Sequence, residues 1–191
     1  MSLRIIGGTF RNRLLKTPKG PQTRPSLAIL RKAVFDILQQ EIVDAEFLDL
    51  FAGAGAMGLE AISRGAKQAT FIDKDRYAIR CIDENIKSFH VEDQCELFAA
   101  DVFVALEKLG KTGRRFDVVY IDPPYAASAE KSLIPKILSL LESLDLLKPQ
   151  AIVFAEEGAP PQLNLEQMGH LKLRLVNSRQ FSQSVLHQLR T

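Results

Sequence analysis

From about residue 47 onward, short apolar runs alternate with stretches whose apolar residues recur at helical spacing. The runs predict strands at 47–51, 68–72, 95–99, 117–121 and 151–155, and the spacing between them predicts helices at 57–64, 75–88, 102–109 and 129–145. The last helix shows the stripe well, with Leu133, Ile137, Leu140, Leu141 and Leu144 on one face. Strands alternating with helices imply a parallel sheet covered on both faces. Near the end, Leu171–Asn177 and Ser184–Arg190 read as two strands separated only by Ser178–Gln183, too short a gap for a helical crossover, so this pair is antiparallel. Upstream of the alternation, Leu3–Ile6, Gly7-Gly8 and Thr9–Leu15 read as a small hairpin or a pair of short strands. A turn-rich loop from Pro18 to Pro25 follows, then a helix capped by Ser26 and running to Gln40, with Leu27, Leu30, Val34, Ile37 and Leu38 as its buried stripe.

Composition changes the picture in one respect. The 191 residues, 46% hydrophobic and 25% charged, are ordinary for one soluble core, and no run is long enough to cross a membrane. The N-terminus is basic but has no apolar stretch or cleavage site behind it, so no secretory signal is expected. Cys81 and Cys95 fit no ligand or C-x-x-C pattern and suit a reducing cytoplasm, and His90, His170 and His187 are scattered, so no metal site is expected. The net charge of +2, however, is unevenly spread. Arg4, Arg11, Arg13, Lys16, Lys19, Arg24, Arg31 and Lys32 all fall in residues 1–35, which contain no acid. The chain thus divides into a basic extension, residues 1–45, and an acidic body, residues 46–191. Basic clustering of this kind is the electrostatic footprint of nucleic-acid binding.

Two loops carry candidate chemistry. Asp122-Pro123-Pro124-Tyr125 directly follows the apolar run Val118–Ile121, which puts it at the carboxyl end of a strand, where open α/β sheets hold their ligands. The prolines stiffen the loop, and Asp122, the Pro123 carbonyl and the Tyr125 ring offer acceptors beside a flat surface, a combination suited to a planar amine. The second loop, Asp49-Leu50-Phe51-Ala52-Gly53-Ala54-Gly55-Ala56-Met57-Gly58, closes the first core strand, and its glycines permit a tight turn and close approach of a ligand to the backbone. Asp73 ends the next strand, where a carboxylate can take both hydroxyls of an adenosine ribose, and Asp101 follows the third, within reach of an adenine edge. Each of these aspartates singly could be a helix cap or a turn residue. Asp49 would repel the pyrophosphate of a nicotinamide dinucleotide, but it would favour S-adenosylmethionine, which carries a sulfonium and an ammonium and no phosphate. A parallel sheet that ends in an antiparallel hairpin is, moreover, the layout of class I methyltransferases.

With these residues in place, the chain resembles the RsmD family of bacterial 16S ribosomal RNA guanine-N2 methyltransferases over nearly its whole length. The resemblance rests on Arg4-Ile5-Ile6-Gly7-Gly8, Arg11-Asn12-Arg13, Arg24-Pro25-Ser26, Arg31, Phe35, Asp49 to Gly58 and Asp122 to Tyr125. Three places depart from the family pattern: Ser26 stands for threonine, Lys32 for glutamate and Phe181-Ser182 for a Tyr-Gly pair. The resemblance implies an α/β, Rossmann-like fold whose mostly parallel seven-stranded sheet ends in an antiparallel hairpin, with S-adenosylmethionine as cofactor. It implies Asp49, Phe51, Gly53, Gly55, Gly58, Asp73, Asp101 and Val102 as cofactor contacts and Asp122, Pro123 and Tyr125 as catalytic residues. Arg11, Arg13 and Arg24 are the expected contacts to the RNA backbone. The expected partner is small-subunit ribosomal RNA, in a partly assembled 30S particle, met by a monomer in the cytoplasm. Other readings are an adenine-N6 nucleic-acid methyltransferase, a glutamine-N5 methyltransferase, a non-catalytic RNA-binding assembly factor and, least in keeping with Asp49, a dinucleotide-dependent oxidoreductase.

Overall fold

In a computed structural model of the chain, residues 3–18, 25–124, 132–161, 163, 169 and 171–191 are described. The apolar runs form a seven-stranded sheet. Its strands are β1 (Glu46–Leu50), β2 (Gln68–Asp73), β3 (Cys95–Ala99), β4 (Phe116–Ile121), β5 (Leu147–Gly158), β6 (Arg174–Phe181) and β7 (Ser184–Arg190). The helices are α1 (Pro25–Leu38), α2 (Ala56–Ser63), α3 (Arg76–Phe89), α4 (Val102–Gly110) and α5 (Ile134–Ser143). Strand order is β3-β2-β1-β4-β5-β7-β6. The first five strands pair in parallel, and β7 pairs antiparallel with both β5 and β6. This is the α/β, Rossmann-like architecture expected from the alternation.

Alternating strand residues feed two cores. Phe47, Phe71, Val118, Tyr120 and Phe154 face a layer made by α1, α2 and α3. Leu48, Leu50, Val119, Ile121 and Val153 face α4 and α5. The chain winds outward from β1 to β3, then returns to place β4 on the other side of β1. The crevice above β1 and β4 is therefore the topological switch point, the place where this class of sheet binds ligands. Both candidate loops leave the sheet there.

Five elements differ in their bounds from the sequence expectation. The N-terminal hairpin contracts to a single antiparallel bridge, Arg4 with Leu14, flanked by Ile5 N–H on Arg13 O and Leu15 N–H on Leu3 O, because the next N–H groups, of Ile6 and Lys16, go to the side chains of Glu60 and Asn85 instead of a ladder. β5 starts earlier and ends later than its apolar run, since Leu147 pairs with Phe116 and Gly158 with Ser184. Leu171 and Leu173 are buried but precede β6, because the Glu142 carboxylate takes the N–H groups of Lys172 and Leu173 at 3.0 and 2.7 Å in place of a ladder. β6 then runs to Phe181, leaving only Ser182 and Gln183 to turn the hairpin. α1 gives way at Leu38 to a short tight turn, Gln39–Ile42, and α5 begins at Ile134. The expected Ser26 cap is not one: α1 already begins at Pro25, a first helical position that suits proline, so Ser26 lies inside the helix. Residues 129–131, the start of the predicted 129–145 helix, lie outside the described residues.

Candidate functional site

The glycine loop changes direction through left-handed residues: Phe51 at φ 63°, Gly53 at 58° and Gly55 at 75°. A bulky residue such as Phe51 is strained there, and such strain is typical of functional sites. The three glycines of the motif serve different ends. A Cβ at Gly53 would meet nothing within 4 Å, so this stretch of backbone borders open space. At Gly55 it would press on Phe71 and Ile82 at 3.3 Å, and at Gly58 it would lie 2.3 Å from Phe71 Cε1. Gly58 thus lets α2 lie directly on β2. Its N–H donates to Asp49 Oδ2 at 3.0 Å. Asp49 is only 2% exposed, and burial pushes its carboxyl up to about 8, with the Gly58 bond opposing and the Asp73 charge adding.

At the end of β2, Asp73 holds the loop in place. Its Oδ2 accepts from Gly53 N–H at 2.8 Å and its Oδ1 from Asp75 N–H at 2.9 Å. Asp75 in turn caps α3, accepting from Tyr77 N–H and Ala78 N–H. Asp101 caps α4 by accepting from Phe103 N–H at 3.1 Å and also meets Lys74 Nζ at 3.2 Å. Val102, the first residue of α4, is buried. Asp73 and Asp101 therefore do turn and cap work, and each carboxylate oxygen keeps a second lone pair for a ligand.

β4 delivers Asp122 beside this loop, with Asp122 N–H donating to Leu50 O at 3.4 Å. Pro123 is buried and Pro124 exposed, while Tyr125 lies outside the described residues. Asp122 is half-buried, and burial pushes its carboxyl well above its usual range, with the charges of Glu156 and Asp49 adding in that order. Glu156, on β5, is fully buried and accepts from the Tyr120 hydroxyl at 2.6 Å. Burial first, then the charge of Glu156, hold Tyr120 protonated as that donor. Sequence reasoning missed Tyr120 and Glu156. The site thus brings three carboxylates, Asp49, Asp122 and Glu156, to one end of the sheet.

The basic extension is clamped on α2. Glu60, fully buried, accepts from Ile6 N–H and Gly7 N–H, both at 2.7 Å, and from Arg64 Nε at 2.9 Å. Ser63 Oγ donates to Gly7 O at 2.6 Å and accepts from Phe10 N–H at 2.9 Å, while Thr9 N–H donates to Ser63 O at 2.8 Å. The backbones come so close that a Cβ at Gly8 would lie 1.8 Å from Ser63 O. Of the expected RNA contacts, Arg11 is exposed and Arg24 lies outside the described residues. The Arg13 guanidinium sits 4.2 Å from the Phe89 ring centroid and donates to Ser88 O. Asn12 forms a turn at φ 68°. Arg31 is only 4% exposed, packed 3.6 Å from Glu60 Oε2, so its charge is spent inside the protein.

The donor set suits S-adenosylmethionine: open space at Gly53, with Asp49, Asp73 and Asp101 around the loop and acidic groups where a cationic ligand gains most. Among the described residues no His, Cys, Asp or Glu cluster could hold a metal ion, and no helix is long and apolar enough to cross a membrane. The family described as conserved hypothetical protein 95 matches residues 3–190. Ribosomal RNA small subunit methyltransferase D of Escherichia coli K12 is 34% identical over 154 residues, 81% of this chain and 74% of its own. The solved Escherichia coli yhhF structure superposes with a TM-score of 0.81 at 29% identity, covering 100% of this chain and 98% of that one. The fold is also shared, at 15% identity and a TM-score of 0.73, by SMU.776, solved with S-adenosylhomocysteine, over 91% of this chain and 52% of that one.

Proposed function

This chain belongs to the conserved hypothetical protein 95 family, and within it we propose a transfer of methyl to the exocyclic N2 of a guanine in small-subunit ribosomal RNA. It is an S-adenosylmethionine-dependent methyltransferase. The observation that carries the proposal is the junction of Asp122 with the glycine loop, made by Asp122 N–H on Leu50 O at 3.4 Å. It sets an acceptor-rich, proline-stiffened loop against the acidic cofactor pocket, and the name of the Escherichia coli relative supports the substrate class. The proposal takes residues 1–45 as the RNA-binding extension and residues 46–191 as the catalytic domain.

In this reading Asp49, Phe51, Gly53, Gly55, Gly58, Asp73, Asp101 and Val102 hold the cofactor. When bound, S-adenosylmethionine supplies a methyl already activated by its sulfonium. The guanine amine is a poor nucleophile because its lone pair is delocalised into the ring, so the work left to the protein is alignment. Asp122 and the Pro123 carbonyl would accept the two amine hydrogens, orient the nitrogen and stabilise the positive charge that develops on it. Tyr125 would stack on the flipped base, an interaction worth roughly 1–3 kcal/mol. Arg11, Arg13 and Arg24 would contact RNA phosphates, with a partly assembled 30S particle as substrate and the cytoplasm as the place of action.

The test is transfer of radiolabelled methyl to protein-free and partly assembled small subunits that lack the modification, followed by nucleoside analysis. N2-methylguanosine is the expected product. Label in N6-methyladenosine, or none at all with cofactor binding intact, would overturn the proposal.

A further inference from the structure

A fully buried asparagine joins the basic extension to the glycine loop. Asn85 lies on α3 with no solvent exposure. Its Oδ1 accepts from Lys16 N–H at 2.8 Å, and its Nδ2 donates to Lys16 O and to Ala54 O, both at 3.0 Å. Both amide hydrogens and an oxygen lone pair are thus used. Because Lys16 N–H can be met only by the oxygen, these partners also fix which way the amide points. Ala54 sits between Gly53 and Gly55, the two left-handed glycines of the cofactor loop. Lys16 follows Arg11 and Arg13 at the end of the segment clamped on α2. One side chain therefore reads the backbone of both places, and no cofactor or RNA contact is required of it.

We infer that Asn85 is a positioning residue through which an occupied cofactor loop and an RNA-bound extension stabilise each other, so that the two ligands bind with positive coupling. The inference rests on the methyltransferase reading above. Ordering the loop around a ligand holds the Ala54 carbonyl in place, which holds the Asn85 amide, which holds both polar groups of Lys16. A ligand on either side then meets part of the ordering cost of the other. The effect is reciprocal by linkage.

The test uses the full chain, S-adenosylhomocysteine and protein-free 16S ribosomal RNA. RNA affinity is measured with and without saturating S-adenosylhomocysteine, and the exchange of the Lys16 amide hydrogen is followed with and without it. In the wild type the expected gain in RNA affinity is about fivefold or more, with slowing of Lys16 exchange of the same order. Asn85→Ala should bring the affinity ratio close to one. Leu109→Ala, a cavity in the opposite core that also lowers the melting temperature, should leave the ratio as it was. If Asn85→Ala does not fold, the exchange measurement on the wild type decides alone. S-adenosylhomocysteine that binds without changing Lys16 exchange or RNA affinity would overturn the coupling and leave the methyltransferase reading standing. A ratio that survives in Asn85→Ala would remove Asn85 from the route. Failure of the wild type to bind S-adenosylhomocysteine at all would overturn both readings.

Discussion

Tyr120 donates its hydroxyl hydrogen to Glu156 Oε2 across 2.6 Å, joining neighbouring strands β4 and β5 inside the core beneath the Asp122 loop. The bond keeps a carboxylate close to a second one that the proposed chemistry needs ionised. After burial, the charge of Glu156 is the largest cause that raises the Asp122 carboxyl.

Replacing Glu156 with Gln therefore has a defined effect. It removes the negative charge but leaves an acceptor for Tyr120. The Asp122 carboxyl should ionise at lower pH, because one of the two charges opposing its ionisation is gone. If ionised Asp122 is the acceptor for the amine, kcat/KM rises with pH through the Asp122 titration in the wild type. In Glu156→Gln the same rise should come at lower pH. A pH-rate profile checks this, and an unmoved acidic limb would disconnect Glu156 from the reaction.

Asp122→Ala removes the acceptor itself. Loss of one preorganised group that stabilises transition-state charge costs on the order of a hundredfold or more in kcat. The loss should fall on kcat, with S-adenosylhomocysteine affinity changed little, since the glycine loop is held by the Asp49 and Asp73 carboxylates and not by the Asp122 side chain. Single-turnover methyl transfer with calorimetry on the same variant separates the two quantities. Near-full turnover would remove Asp122 from the mechanism.

The alternation of apolar runs and helical stripes was enough to predict the sheet, because strands buried on both faces carry their signal in every residue. It gave β3 and β7 their observed bounds. It failed where burial and strand pairing part company. β6 is exposed along almost its whole length, so it has no apolar rhythm, while Leu171 and Leu173 supply that rhythm just outside it. Glu156 escaped for a related reason: an acid after the run 151–155 reads as a strand's polar end, whereas β5 continues and turns that side chain inward. Asn85 did leave a trace, a lone amide on the stripe formed by Ile82, Ile86 and Phe89, but its partners are 31 and 69 residues away in sequence. The glycine pattern was visible, yet only the packing on Phe71 distinguishes Gly58, which makes room for a ring, from Gly53, which borders open space.

That distinction sets two opposing effects against each other at Gly58. Alanine is favoured over glycine in a helix by about 1 kcal/mol. A Cβ there would lie 2.3 Å from Cε1 and 2.6 Å from Cζ of Phe71, whose side chain is fully buried. Overpacking of this kind costs typically about 1–3 kcal/mol, so the clash should win and Gly58→Ala should lower stability. In a Phe71→Leu background the obstructing ring is gone, and the same substitution should be neutral or stabilising. Denaturant melts of the four proteins form the double-mutant cycle. Equal costs in both backgrounds would show that Phe71 is not what Gly58 accommodates.

Asp49 gives the protein a pH dependence that needs no ligand. Burial raises its carboxyl from the ordinary 3.8 to about 8 in the folded state. Across that interval the folded chain keeps a proton that the unfolded chain has released. Stability therefore falls as pH rises, from full strength below the unfolded value to a loss that is complete once pH passes the folded one. Asp49→Asn cannot ionise and keeps an oxygen able to accept Gly58 N–H, so it escapes this loss. The variant should melt above the wild type near pH 8, and the gap should shrink steadily toward about pH 4. Thermal melts of the ligand-free proteins across that range measure it directly. A gap that does not change with pH would mean that Asp49 ionises in the fold as readily as in the unfolded chain, and that the acidic pocket is wetter than its 2% exposure implies.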